Sequence, residues 1–401
     1  MTKRVLLVNK FYYPRGGDCI VALNTEALLR ENGVETQVFA MEYSENLPAH
    51  YQDRFASRVA FDGGFGDKWR ALQRTLGKGD VRDNFLAVLD DFKPDVVHLH
   101  NVHSYLSPVV GELAHERGIR VVWTLHDYKL LCPRYDCLLD GKPCELCFTG
   151  AKRNVLTHKC MKGSLPASVV AWLEALKWNR RTLEKNTDVF VCPSEFMASR
   201  MRAGGFDPSK LKVLNNFLDP VKFKQYQEMD VTGAREDYYC YVGRLSSEKG
   251  VKDLLEVASR LPFRLKVAGG GPLEQPLREK YAGCPSIEFL GNQDASGVAR
   301  LLSGARLSVM PSQCYDNNPL SVVESLCAGT PVAGSRIGGI PELINSENGI
   351  VFQPFDQETL ATAITMSMAR EWNHAEISRH ALNRFGAETH KRVLMNDIYG
   401  I

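Results

Sequence analysis

Asp316 and Glu324 stand eight positions apart in "PSQCYDNNPLSVVESLCAGTPVAG", residues 311–334, a stretch whose other side chains are mostly apolar. Carboxylates in such a segment need partners, because an unpaired buried charge is expensive. Between them, Asn318 and Pro319 mark a helix start, with Asn318 as cap and Pro319 as the first residue. The free amides of Leu320 and Ser321 then face an anion or a hydroxyl. A carboxylate accepts two hydroxyls at once, so Glu324 suits a ribose, while Asp316 and the helix amides suit sugar hydroxyls. The plainer alternative makes Asp316 a turn residue and Glu324 the partner of a buried arginine.

Two further clusters carry related chemistry. Arg244 and Lys249 lie five apart in "GRLSSEKG", around another helix start, where they suit a diphosphate; a solvated turn is the alternative. The glycines of "AGGGP", Gly270 among them, either let backbone approach a ligand or only make a tight strand-to-helix turn.

The elements that position these residues follow from hydrophobic patterning. Short apolar runs alternate with helical patterns almost from end to end, which predicts parallel sheets wound with helices. Strands are expected at "RVLLVN", "ETQVFA", "DVVHLH", "RVVWTL", "DVFVC" and "LKVLN", then at "YYCYVG", "FRLKVAG", "SIEFLG", "RLSVMPS" and "TPVAG". The chain of 401 residues is too long for one core. We expect an α/β fold of two domains, 1–212 and 238–372, joined by a polar linker at 213–237. The unusual residues follow the strands, at the sheet edge where open α/β sheets bind ligands.

Acidic and basic side chains nearly cancel, at a formal charge of +2, which argues against nucleic acid as partner. No stretch approaches the roughly 18 apolar residues of a membrane span. A cytoplasmic location is expected, with the eleven cysteines as thiols or metal ligands rather than disulfides. In "CPRYDCLLDGKPCELCFTGAKRNVLTHKC" five of them fall within an insertion spanning 132–163, and "CELC" has zinc-ligand spacing. In "DKWRALQRTLGKG", Trp69, Leu72 and Leu76 form an apolar face among Lys68, Arg70, Arg74 and Lys78. That face suits either a protein core or an anionic membrane.

The series "YYPRGGD", "HNVHSY", "TLHDY", "VCPSEFM", "YVGRLSSEKG", "VAGGGP", "FLGN", "VMPSQCYDNNPLSVVESLCAGTPV" and "GGIPELI" resembles the retaining glycosyltransferases of family 4, the "group 1" transferases with the GT-B fold. The likeness covers nearly the whole chain. It implies two facing Rossmann-like domains with a cleft between them, an acceptor on the first, a nucleotide-sugar donor (UDP- or GDP-linked) on the second, and a final helix, 375–401, that returns to the first domain. Carried over by position, Arg244 and Lys249 hold the donor diphosphate, Glu324 the ribose, and Gly16 and Gly17 let backbone approach the donor phosphate and the acceptor. Gly243, Gly270, Asn317, Asn318, Leu320 and Ser321 join the donor site. His126 matches the active-site histidine, and His100 and His103 are expected on the acceptor side.

Asp316 takes a place that is usually Glu, which sets its carboxylate about 1.5 Å back and puts donor identity in question. The resemblance also implies retention of anomeric configuration, catalysis with no required cofactor or metal, and a glycan or polyprenyl-diphosphate-linked acceptor in bacterial surface polysaccharide synthesis. Peripheral contact with the cytoplasmic membrane face goes with such an acceptor. Relatives with a similar insertion have cysteines matching Cys132, Cys144, Cys147 and Cys160, which makes these four the expected ligands of a structural zinc. Two other activities remain open at this level: a nucleotide-sugar epimerase of the same fold, and a non-catalytic sugar-nucleotide-binding subunit.

Overall fold

The computed structural model describes residues 3–60, 63–150 and 152–401. Chain contacts divide it into two compact units. Residues 1–137, 144–214 and 391–401 make the first, and residues 138–143 with 215–390 make the second.

The first unit is built on β1 (Arg4–Val8), β2 (Glu35–Phe39), β3 (Val96–Leu99) and β4 (Arg120–Thr124). A short hairpin, β5 (Leu138–Leu139) and β6 (Lys142–Pro143), interrupts the series before β7 (Val189–Cys192) and β8 (Leu211–Val213). The six long-range partners form one parallel sheet in the order β2-β1-β3-β4-β7-β8. Its inner strands, β1, β3, β4 and β7, are near-continuous apolar runs, as in sheets covered by helices on both faces. Val5, Leu7, Val122 and Val191 are buried with Leu394, Ile398 and Tyr399 from the chain's end. Arg120 fixes that end by donating to the Ile398 carbonyl at 2.8 and 3.0 Å.

The second unit contains β9 (Tyr238–Val242), β10 (Arg264–Ala268), β11 (Ile287–Gly291), β12 (Leu307–Met310), β13 (Val332–Ser335) and β14 (Gly349–Phe352). They form a parallel sheet in the order β11-β10-β9-β12-β13-β14. β14, only four residues long in "NGIVFQ", is the strand that patterning did not anticipate.

Both sheets reverse direction once. In the first the reversal falls between β1 and β3, and in the second between β9 and β12. At such a point the loops leaving adjacent strands diverge and open a crevice beyond the carboxyl ends.

Two expected boundaries shift. Of the tail 375–401, only 391–401 belongs to the first unit. The His374–Phe385 helix buries Ile377, Ala381 and Phe385, spaced by one helical turn, in the core of the second unit beside Leu326 and Cys327. The expected linker 213–237 is likewise no simple connector. It contains the helix Pro220–Gln227, capped by the Asp219 side chain on the Lys222 amide, and Tyr226 is buried in the second unit's core.

Candidate functional site

In the second unit, four loops leave the strands around the reversal, and glycine lets them touch backbone to backbone. Leu245 donates its amide to the Gly270 carbonyl at 2.9 Å, and Gly243 to Ala268 at 3.0 Å. A Cβ on Gly269 would lie 2.0 Å from the Gly243 oxygen. Gly250, in the left-handed region at φ +68°, would put a Cβ 1.9 Å from the Pro311 oxygen. Gly338 packs in the same way on the backbone of Asp316, and the Gly339 amide donates to the Asp316 carbonyl at 2.7 Å. The glycine-rich turns therefore have a packing role, and the loops they join carry the charged residues.

Those residues are paired. Lys249 lies in a short 3-10 turn and its ammonium donates to Asp316 Oδ1. Burial works against the charged lysine, but the Asp316 carboxylate outweighs it and holds the pKa above the ordinary range. The second oxygen, Asp316 Oδ2, is buried with no hydrogen-bond partner among the described residues. Arg244 is exposed, and its guanidinium has no ion pair among the described residues. Glu324, in the helix Leu320–Cys327, is buried and meets Lys222 Nζ at 2.5 Å. The alternative that made Glu324 the partner of a buried cation thus has its counterpart here, with lysine in place of arginine.

The cap expected of Asn318 is absent. The helix begins one residue later than patterning implied, with Pro319 at the cap position and no side-chain cap bond. Asn318 is instead occupied by Asn216, whose amide donates to Asn318 Oδ1 at 3.0 Å and whose Nδ2 donates to the Asn318 carbonyl at 2.9 Å. Asn318 Nδ2 is left buried and unpartnered among the described residues. Leu320 and Ser321 occupy the first helical turn as expected, half-buried, and Asn317 is half-buried beside them. Asn216 and Lys222 were missed because both fall in the stretch read as linker.

In the first unit, Gly16 and Gly17 open the helix Gly17–Glu31 after β1. A Cβ on Gly17 would meet nothing within 4 Å, so the chain's own packing does not require glycine there. Asp18, the next residue, accepts from Asn101 Nδ2 at 2.8 Å. Burial pushes the Asp18 pKa up, but His126, Lys10 and the Asn101 bond together bring it below the ordinary value. His126 follows β4 and His100 follows β3; their Nε2 and Nδ1 atoms are 3.0 Å apart and the rings stack. Burial lowers the His126 pKa to about 4, with nearby Lys10 adding to the effect and Asp18 opposing it. His126 is therefore neutral at ordinary pH.

His103 turns inward. It stacks on Trp123 with centroids 5.1 Å apart, lies 4.0 Å from Asp127, and is held neutral by burial. Lys10, Asp18, Asn101 and Asp127 belong to this network. Sequence reasoning did not single them out, although Asp18 and Asp127 each follow a residue that it did.

The insertion's cysteines gather without forming a ligand set. Burial raises Cys147 to about 11, with Cys132, Cys160 and Cys144 close enough to add to the shift. A hydrogen bond from Cys137, the fifth cysteine and not one of the expected four, lowers Cys132 to about 6. Six of the ten non-glycine residues with positive φ among the described residues lie in this segment, Tyr135, Cys137 and Asp140 among them. Backbone of that kind persists only where something constrains it. Among the described residues no three His, Cys, Asp or Glu side chains are arranged to hold a metal ion.

Comparison with known proteins agrees with the two-unit division. Residues 16–222 match the Glycosyltransferase Family 4 domain and residues 236–369 match the glycosyl transferases group 1 domain. An uncharacterized glycosyltransferase, MJ1607 of Methanocaldococcus jannaschii, is 27% identical over 394 residues, covering 93% of this chain and 90% of that one. A 42.6 kDa protein in the cps region of Klebsiella pneumoniae is 24% identical over 84% of this chain and 87% of its own. The sulfoquinovosyl transferase SQD2 of Arabidopsis thaliana is 28% identical over 214 residues, and the chain spans only 42% of its length.

Among solved structures, the lipopolysaccharide outer core galactosyltransferase WaaB superposes with a TM-score of 0.66 at 14% identity, covering 100% of this chain and 99% of that one. Anabaena Alr3699/HepE, solved in complex with UDP and glucose, does so at 0.62 and 17%, covering 99% of each. With its first half matched to one domain of the family and its second half to the other, the chain belongs to the group 1 glycosyltransferases of family 4 and has the GT-B type of fold.

Proposed function

We propose that this glycosyltransferase is a retaining, metal-independent hexosyltransferase that uses a UDP- or GDP-linked donor and a glycan or polyprenyl-diphosphate-linked acceptor, in bacterial surface polysaccharide synthesis. One observation carries the reading: at the reversal of the second sheet, the exposed Arg244, the Lys249–Asp316 pair, the free end of the Leu320–Cys327 helix and the unpartnered Asp316 Oδ2 are held by loops locked to one another. A nucleoside diphosphate leaving group gathers negative charge as the glycosidic bond breaks, and cations with helix amides stabilise it. Asp316 Oδ2 then accepts from a sugar hydroxyl, and Glu324 from the ribose.

Relatives supply the polysaccharide context by their own descriptions. One lies in a cps region and one is a putative colanic acid biosynthesis glycosyltransferase of Salmonella typhimurium. The choice of base stays between UDP, bound in the Anabaena structures, and GDP, the carrier of a mannosyltransferase relative from Mycobacterium tuberculosis.

The test is turnover against a panel of nucleotide sugars with and without brief EDTA, followed by the anomeric configuration of the product. Release of nucleoside diphosphate that needs an acceptor, survives EDTA and gives product with the donor's configuration supports the reading. Donor turnover with no acceptor favours an epimerase, and loss of activity restored by magnesium overturns metal independence. For the insertion, we propose that zinc draws Cys132, Cys144, Cys147 and Cys160 together. About one zinc per purified chain supports this, and metal-free protein with freely titrating thiols contradicts it.

A further inference from the structure

The helix Leu165–Lys177, "LPASVVAWLEALK", is turned inside out. Its buried side chains are Ser168, Ala171 and Glu174. Leu165, Val169 and Leu176 are exposed at 49%, 37% and 40%, and Leu173 is half-buried beside them. Their spacing puts them on one stripe. The inward side is fixed by polar bonds. Glu174 pairs with Lys129 at 2.9 Å and accepts from Ser104 Oγ at 2.8 Å. Rotating the apolar stripe inward would leave those charges unpaired, so the outward stripe is a built feature of the fold.

The neighbouring helix adds one exposed aromatic side chain. Trp178, just past the first helix, donates its indole N–H to the Thr75 carbonyl at 2.9 Å and so joins the end of Phe65–Thr75. That helix buries Ala71, Arg74 and Thr75, and leaves Trp69 exposed at 54%. Arg74, one of the basic residues around the expected apolar face, is buried in an ion pair with Asp80.

Basic charge is concentrated in the chain on either side of this helix. Residues 153–185 contain seven basic side chains and two acidic ones, a balance of +5 in a chain whose total is +2. Glu174 is buried and Glu184 half-buried, whereas Arg153, Lys159, Lys162, Lys177, Arg181 and Lys185 are exposed. We infer that this face docks on an anionic lipid bilayer, with Leu165, Val169 and Leu176 entering the acyl boundary and the basic side chains resting on the headgroups. A two-fold dimer through the same face would set these like charges against their own copies. The inference gives the expected peripheral membrane contact a surface, and its physics is independent of which donor or acceptor the enzyme uses.

The test is co-sedimentation of the full chain with phosphatidylcholine vesicles, with and without phosphatidylglycerol, beside sedimentation velocity in their absence. The protein should bind the phosphatidylglycerol vesicles and lose about tenfold or more in affinity at high salt or on phosphatidylcholine alone. The combined variant Leu165→Gln, Val169→Gln, Leu176→Gln should bind about tenfold or more weakly. The combined variant Lys159→Gln, Lys162→Gln, Lys177→Gln should lose most of the salt dependence. Both should melt like the wild type and turn over a water-soluble acceptor equally well, which separates failure of this inference from failure of the activity reading. Absence of vesicle binding by the wild type, or wild-type binding by both variants, overturns the inference. So does a wild-type dimer that the apolar variant abolishes, which would assign the face to a second copy.

Discussion

The two sheet reversals hold clusters of different electrostatic character. In the second unit, opposite charges meet in pairs: Lys249 with Asp316 and Lys222 with Glu324. In the first, His126 and His103 are kept neutral by burial beside two charged groups, Lys10 and Asp18, the latter held by Asn101. A site of paired charges can exchange partners with a diphosphate without leaving a charge bare. Neutral imidazoles can hydrogen-bond hydroxyls close to a reacting centre without adding charge of their own. Under the proposed function, the second unit handles charge and the first positions hydroxyls.

The largest expected effect breaks the charged side. Lys249→Ala leaves the Asp316 carboxylate mostly buried and without its counter-ion, and removes a cation from the diphosphate. We expect kcat/KM to fall by about 100-fold or more, and stability to fall by about 1–3 kcal/mol in urea unfolding. An active and equally stable variant would remove Lys249 from the site.

The neutral side is tested by pH. His126 folds with a pKa of about 4 against an unfolded value near 6.5, so the unfolded chain binds the proton first as pH falls. Its contribution to stability is therefore intact above pH 6.5 and declines from there to about pH 4. His390, also lowered to about 4 by burial, acts in the same direction. Between pH 6 and 8 the rate should show no histidine limb. A kcat/KM profile that titrates near 6.5, and loses that limb in His126→Ala, would show that His126 is protonated in use.

The smallest effects come from glycines. Gly250→Ala must strain a positive φ and drive a Cβ into the Pro311 carbonyl, so it should destabilise by about 1–3 kcal/mol. Gly17→Ala meets open space and should change stability by no more than about 0.5 kcal/mol, while lowering kcat/KM if a ligand approaches that backbone. Thermal melts and turnover of the two variants separate a packing glycine from a ligand-facing one.

What the sequence revealed was what local chemistry dictates. Apolar runs located the strands of both sheets except β14, and residue type singled out Asp316, Glu324, Arg244 and Lys249 at the ends of those strands. Partners were not legible, because pairing depends on which loops the sheet order brings together. Lys222 lies 102 positions from Glu324, and Lys249 lies 67 from Asp316. The cap assigned to Asn318 failed for the same reason: Asn216, also 102 positions away, takes the side chain. The tail was divided between the two units by a stripe, Ile377, Ala381 and Phe385, that is visible in the sequence but does not say which core it fits.

The central claim is that a nucleotide sugar lies at the second reversal, with Glu324 on the nucleotide and Asp316 on the sugar. Calorimetric titration of nucleoside diphosphate into the wild type, Glu324→Ala and Asp316→Ala tests it most directly. Glu324→Ala removes charge-assisted hydrogen bonds worth about 1.5–3 kcal/mol each and should bind about tenfold or more weakly. Asp316→Ala releases Lys249 to the diphosphate, so it should bind the nucleotide at least as tightly as the wild type while turnover falls. Equal weakening of nucleoside diphosphate binding in both variants would contradict the account.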